Sequence, residues 1–234
     1  MAPTNAAAQI LPHINIVLDE LACINQYGRA DDLSGKLKVA MPESFLTYKA
    51  QTALKSFRQN AMAVQLTLMT GNCLEIQQEV LNGSIDFGIH YTAGRSNEYL
   101  CSNRMGQYAL KLVCSPMLKD RDFTALHQKK AVCLLTDDKR SIFFTIFNQY
   151  LQENDIMIDD VIELGSIEAI KRSAASNIGV SVLPDFVVAE DLSSGSLEAI
   201  DVPLQPIEVV CTYHKNKWLS PAMQYFIKLL GEVV

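Results

Sequence analysis

Basic residues are in short supply: 20 lysines and arginines against 26 aspartates and glutamates leave the 234-residue chain with a formal net charge of -6. Gripping a nucleic acid backbone takes a concentrated positive face, so these residues are not expected to hold DNA by themselves. The first basic side chain is Arg29, and no basic start followed by an apolar run marks a secretory signal. Export is therefore not expected, and the cytoplasm is the expected compartment. Every apolar stretch is interrupted before the ~18 to 20 residues that a membrane helix needs, so no membrane partner is expected. The cysteines, Cys23, Cys73, Cys101, Cys114, Cys133 and Cys211, form no CxxC pair and no zinc-like spacing, and are expected to be mostly buried thiols in a reducing compartment. HExxH, GxSxG, GxGxxG and GxxxxGK[ST] are all missing, and His13, His90, His127 and His214 are scattered. No catalytic residue, metal site or cofactor is expected.

What the sequence does have is enough apolar material, 49% of residues, to bury a substantial core in one large domain or two small ones. Ile10, Ile14, Val17, Leu21 and Ile24 step by 4, 3, 4 and 3, the apolar seam of a helix that packs on another helix. Thr4 is placed to cap that helix, Gly28 to end it, and Pro12 to start or kink it. "GRADDLSG" then reads as a linker.

From Lys36 the pattern becomes alternating strands and helices. "KLKVAM" leads to a helix with Leu46, Ala50, Ala53, Leu54 and Phe57 on one face, then "VQLTLM", a helix through Ile76 and Val80, a turn at Asn82-Gly83 and "IDFGIH". This βαβαβ order implies a parallel sheet. A second series starts near residue 108 with "YALKLVCS" and "AVCLL". It continues through a helix bearing Phe143, Ile146, Phe147, Tyr150 and Leu151, then "VIEL", another helix and "GVSVLP". The strand "IEVVCTYH" and a helix with Leu219, Met223, Phe226, Ile227 and Leu230 close the chain and are placed to return to the first sheet.

Small polar residues recur where a strand hands over to a helix: Ser44 in "PESF", Asn72 and Cys73 after "LTLMTG", Thr136 after "CLL" and Ser166 after "ELG". In an open parallel sheet these carboxyl ends face the crevice where ligands bind. Helix N-termini carry unpaired N–H groups and a positive partial charge, which suits a small anion. Each residue is also a candidate helix cap, and Ser166 is expected to do both jobs. Asp137-Asp138 reads as a carboxylate pair or, more simply, as a solvated turn ahead of a helix.

Several of these stretches resemble the LysR-type transcriptional regulators. "PTNAAAQILPHINIVL" is similar to the start of that family's linker helix, and "LSGKLKVA" to its first effector-domain strand. "GNCLEIQQEVLNGSIDFGI" resembles its glycine turn, helix and G-x-x-D-x-(G/A)-(I/V) strand. "GSIEAIKRSAASNIGVSVLPDFVVAEDLSSGSL" is the strongest match, with the helix, the G-x-x-x-(L/I)-P strand and the later G-x-L in family order. Two positions depart from the pattern. Ser176-Asn177 stands where glycine is common, although Asn177 can still adopt the left-handed turn. The "TDDKRS" stretch lacks the reactive cysteine of peroxide-sensing members.

The resemblance implies an α/β fold of two Rossmann-like subdomains, similar to type 2 periplasmic binding proteins, with a small effector in the cleft between them. By that likeness residues 1–34 are linker helix and linker, 35–107 and 206–234 are subdomain I, and 108–205 are subdomain II. Ser44, Asn72, Cys73, Thr136 and Ser166 match the effector pocket, and a small organic anion is the expected ligand. The likeness also implies a homodimer or homotetramer. Promoter DNA would be bound only through a winged helix-turn-helix domain that precedes this region in the family, so the chain is expected to be part of a longer protein. A free-standing solute-binding protein of the same fold is the alternative, and an enzyme on a related scaffold the third reading.

Overall fold

The computed structural model describes Thr4, Ile10, Ile14, Val17, Leu18 and Leu21, then residues 33–92 and 97–234. Pro12, Ile24, Gly28 and most of the expected linker lie outside the described residues. Ile10, Ile14, Val17 and Leu21 are helical, and each is about half exposed (53%, 48%, 58% and 51%).

The chain divides into two compact units, one of Met1–Gly106 with Val209–Val234 and one of Gln107–Glu208. In the first unit, β1 (Ser34–Met41), β2 (Ala63–Thr70), β3 (Phe87–Thr92), β4 (Leu100–Tyr108) and β10 (Ile207–His214) form a sheet in the order β2-β1-β3-β10-β4. β1 pairs in parallel with both β2 and β3, as the βαβαβ pattern requires. The terminal strand does return to this sheet, between β3 and β4. β1 starts at Ser34, so the end of "GRADDLSG" is strand rather than linker. β4 had no expected counterpart in the sequence, because "LCSNRMGQY" is polar and mostly half-exposed, without the apolar alternation that marks a strand.

The helix expected through Leu46 and Phe57 is two helices, α1 (Glu43–Tyr48) and α2 (Gln51–Asn60), separated at Lys49 and Ala50. In one continuous helix Phe45 and Phe57 would point about 120° apart, at about 100° per residue. The break lets both reach the core, where both are fully buried, as are Ala50 and Ala53. The final helix, α7 (Pro221–Gly231), is capped by Ser220 and sets Phe226 against Phe57 at 4.5 Å between ring centroids and edge-on to Phe87 at 6.0 Å. Burying rings of this size at ~25 cal/mol per Å2 supplies much of the unit's cohesion.

The helix α3 (Cys73–Leu81) lies on this sheet through Ile76 and Val80, and that contact explains the G-x-x-D-x-G pattern. Gly83 takes the left-handed turn at φ 66°. Asp86 accepts from the Lys38 amide at 2.6 Å and pairs with Lys217 at 2.8 Å, tying β1 to the strand that follows α3. A Cβ on Gly88 would lie 2.3 Å from Ile76 Cγ2, so helix and strand approach this closely only over glycine.

In the second unit, β5 (Leu110–Cys114) pairs antiparallel with both β8 (Ser181–Pro184) and β9 (Glu198–Ile200), while β6 (Gln128–Thr136) and β7 (Ile156–Glu163) run parallel. A parallel bridge from Leu134 to Val180 joins the two groups, with Val180 N–H donating to Cys133 C=O and Leu135 N–H to Val180 C=O, each at 2.8 Å. The helices α4 (Ile142–Glu153), α5 (Ile167–Ala175) and α6 (Asp185–Ser194) bury Phe147, Ile170, Ala174, Val187 and Val188. Asn177 takes the left-handed turn at φ 60° that the departure from glycine required. Lys130 is almost fully buried, paired with Asp120 and lying 5.3 Å from the centre of the Phe123 ring.

Candidate functional site

Because β1, β2 and β3 are parallel, their carboxyl ends share one edge of the first sheet. Met41 stands opposite Thr70 in register, so Ser44 and Asn72 both follow strand ends at that edge. The two residues are used differently. Asn72 makes a full capping box: its Oδ1 accepts from Leu74 N–H at 3.1 Å and Glu75 N–H at 3.0 Å, and Glu75 accepts from Asn72 N–H at 3.2 Å. Cys73 opens the helix and is half-buried. Ser44 lies inside α1, is 2% exposed, and does not cap it; its Oγ instead meets the Tyr91 hydroxyl at 2.8 Å.

Tyr91 was not singled out from the sequence. On β3 it shares a face with Phe87 and Ile89, and all three are buried. The only signal was a phenol on an otherwise apolar strand face. Its neighbour His90 points the other way and is nearly fully buried, with Nδ1 3.2 Å from Tyr91 C=O and Nε2 2.9 Å from Thr212 Oγ1. Burial lowers the His90 pKa from the ordinary 6.5, partly opposed by the bond to the Tyr91 carbonyl.

In the second unit, Thr136 and Ser166 come together at one end of the β6–β7 pair. Thr136 stands opposite Glu163, Leu164 N–H donates to Thr136 C=O at 2.8 Å, and Ser166 N–H donates to Leu164 C=O at 2.7 Å. Ser166 occupies the N-cap position of α5 with extended backbone (φ -156°, ψ 136°), but its hydroxyl makes no capping bond. The expectation that Ser166 caps its helix is corrected: the N-cap backbone is in place without a capping bond from the side chain. Thr136 is nearly buried and its hydroxyl donates to Asp138 C=O at 3.2 Å.

Asp137-Asp138 is also not the solvated pair the sequence suggested. Asp138 is bound to Arg140 at 2.7 Å, while Asp137 is half-buried and burial pushes its carboxyl above the usual carboxylate range, partly opposed by hydrogen bonds from Ser141, the local backbone and Thr136. Among the described cysteines, Cys114 and Cys211 are buried and Cys73, Cys101 and Cys133 only half-buried, so the thiols are less enclosed than expected. Desolvation raises the Cys211 thiol to about 12, which keeps it protonated and inert. No cluster of histidine, cysteine, aspartate or glutamate among the described residues is arranged to hold a metal ion.

Two α/β units, with the chain passing from the first to the second and back, make up the fold. The LysR substrate binding domain family matches residues 30–234. Across 99% of the chain and 80% of the relative, the sequence is 35% identical to YfiE, an uncharacterised HTH-type transcriptional regulator of Escherichia coli strain K12. Among solved structures, full-length LysG from Corynebacterium glutamicum with bound effector Arg gives a TM-score of 0.74 at 12% identity, covering 99% of this chain and 79% of that one. The regulatory domain of CcmR from Synechocystis PCC6803 in complex with 2-PG gives 0.71 at 18% identity, covering 86% and 97%. The chain belongs to the LysR family and comprises the effector-sensing domain of such a regulator.

Proposed function

We propose that this domain takes a small organic anion as its effector and that binding, with no turnover, is its whole chemistry. The observation that carries the reading is the placement of hydroxyl-bearing residues at strand carboxyl ends: Ser44 in the first unit, and Thr136 and Ser166, linked through the Leu164 backbone, in the second. Asn72 and Cys73 belong to the same reading through the helix start they form, because both the side chain and the N–H of Asn72 are committed to its capping box. An effector acts by binding one arrangement of the regulator better than another, since only differential affinity shifts an equilibrium. LysG holds bound effector Arg and the CcmR regulatory domain is in complex with 2-PG, and both support a small polar ligand here. The protein works in the cytoplasm as a homodimer or homotetramer, and reaches promoter DNA through a helix-turn-helix domain such as its relatives' names record. The subdomain bounds follow the family likeness, 35–107 with 206–234 and 108–205.

A thermal-shift screen of small carboxylates and phosphorylated acids, followed by calorimetry on the wild type and Ser166→Ala, tests the assignment. A lost hydrogen bond to a charged ligand weakens binding by ~1.5 to 3 kcal/mol, roughly ten- to a hundredfold. Unchanged affinity in Ser166→Ala would remove that residue from the site.

A further inference from the structure

A serine hydroxyl turns freely among three staggered wells unless something selects one of them. At Ser44 the selector is the Tyr91 phenol, 2.8 Å from Oγ, with both residues 2% exposed and therefore largely shielded from competing water. We propose that Tyr91 is a positioning residue for the effector site, fixing the direction in which Ser44 presents its hydroxyl; this rests on Ser44 being part of that site.

Tyr91 is itself held through side chain and main chain. Its ring lies on the buried face of β3 with Phe87 and Ile89, and its main-chain carbonyl meets His90 Nδ1 at 3.2 Å. A carbonyl only accepts, so His90 carries its proton on Nδ1 and Nε2 is left to accept from Thr212 Oγ1, at 2.9 Å. Thr212, having donated, accepts from Ser102 Oγ at 2.9 Å. One direction of donation satisfies the whole row, Ser102 to Thr212 to His90 to Tyr91, so β4, β10 and β3 are locked together at the residue that holds Ser44. The phenol is more acidic than an aliphatic alcohol and is the better donor of the two. Ser44 then accepts from Tyr91, and its own proton points onward to an anion, each bond polarising the next.

The test uses wild type, Ser44→Ala, Tyr91→Phe and the double variant, with L-malate, 2-PG and inorganic phosphate as probes; whichever raises the melting temperature most is taken to calorimetry. Tyr91→Phe keeps the ring and removes one oxygen, and the ligand-free melting temperatures report any structural cost separately. The expected result is that Ser44→Ala weakens probe binding by about ten- to a hundredfold and Tyr91→Phe by about three- to tenfold, with the double variant no weaker than Ser44→Ala alone. That non-additivity is a signature that lost packing would not produce. If Ser44→Ala weakens binding and Tyr91→Phe does not, the positioning role is overturned and the site assignment stands. Unchanged affinity in Ser44→Ala takes Ser44 out of the site and overturns the proposal with it. If no probe stabilises the wild type, the anion reading and the proposal fall together.

Discussion

His90 shows how one buried side chain ties stability to pH. Its imidazole is neutral in the fold because burial disfavours the charge, and its ordinary pKa of 6.5 applies when the chain unfolds. Below pH 6.5 the unfolded chain therefore binds more protons at this residue than the folded one. The stability contribution is intact above pH 6.5 and is lost as the pH falls through the depressed folded value. Urea midpoints measured from pH 7.5 down to 5.5 should fall, and His90→Gln should flatten that fall while lowering stability at pH 7.5 through the lost bond to Thr212. Asp137 is shifted in the opposite sense, a carboxyl raised by burial, and such a cost is the kind that binding sites retain.

Two helix starts with the same expected cap behave differently. Asn72→Ala removes the side-chain half of a capping box, leaving Glu75 to accept from the backbone N–H at 72, and should cost about 1 kcal/mol in urea denaturation, the usual worth of an N-cap. Ser166→Ala removes no capping bond and should cost less than Asn72→Ala, although both were expected caps. The junction of β6 with β8 is a harder constraint. A Cβ on Gly179 would lie 2.2 Å from Cys133 C=O and 2.9 Å from its carbonyl carbon, and backbone on both sides is held by the Cys133–Val180 bond. Gly179→Ala should destabilise the second unit by more than about 2 kcal/mol, in the range of steric overpacking, and should leave the bonds around Ser44 in the first unit untouched.

For the molecule as a whole, the half-exposed seam of Ile10, Ile14, Val17 and Leu21 is an apolar helical face that heptad spacing suits to a second copy. Sedimentation should find the wild type larger than a single chain. Ile14→Glu combined with Leu21→Glu should shift it toward the monomer without changing the melting of the α/β units, since those side chains contribute little to either core. A wild type that sediments as one chain would remove the seam's role.

Periodicity and motif order determined much of this protein before any coordinates. The parallel β1–β2–β3 sheet, the Gly83 and Asn177 turns, and the strand ends that Ser44 and Asn72 follow in the first unit and Thr136 and Ser166 in the second are legible in local pattern. These are features of a few consecutive residues, where side-chain spacing and turn conformation are intrinsic. Tertiary structure decided the rest. That Ser44 faces Tyr91, 47 residues away, that Ser166 leaves its helix uncapped, that Phe45 and Phe57 need a break at Lys49, and that Asp137 is desolvated are outcomes of packing. Such hydrogen bonds and burials depend on chain segments far apart in sequence, and no local pattern encodes which of two hydroxyls will meet.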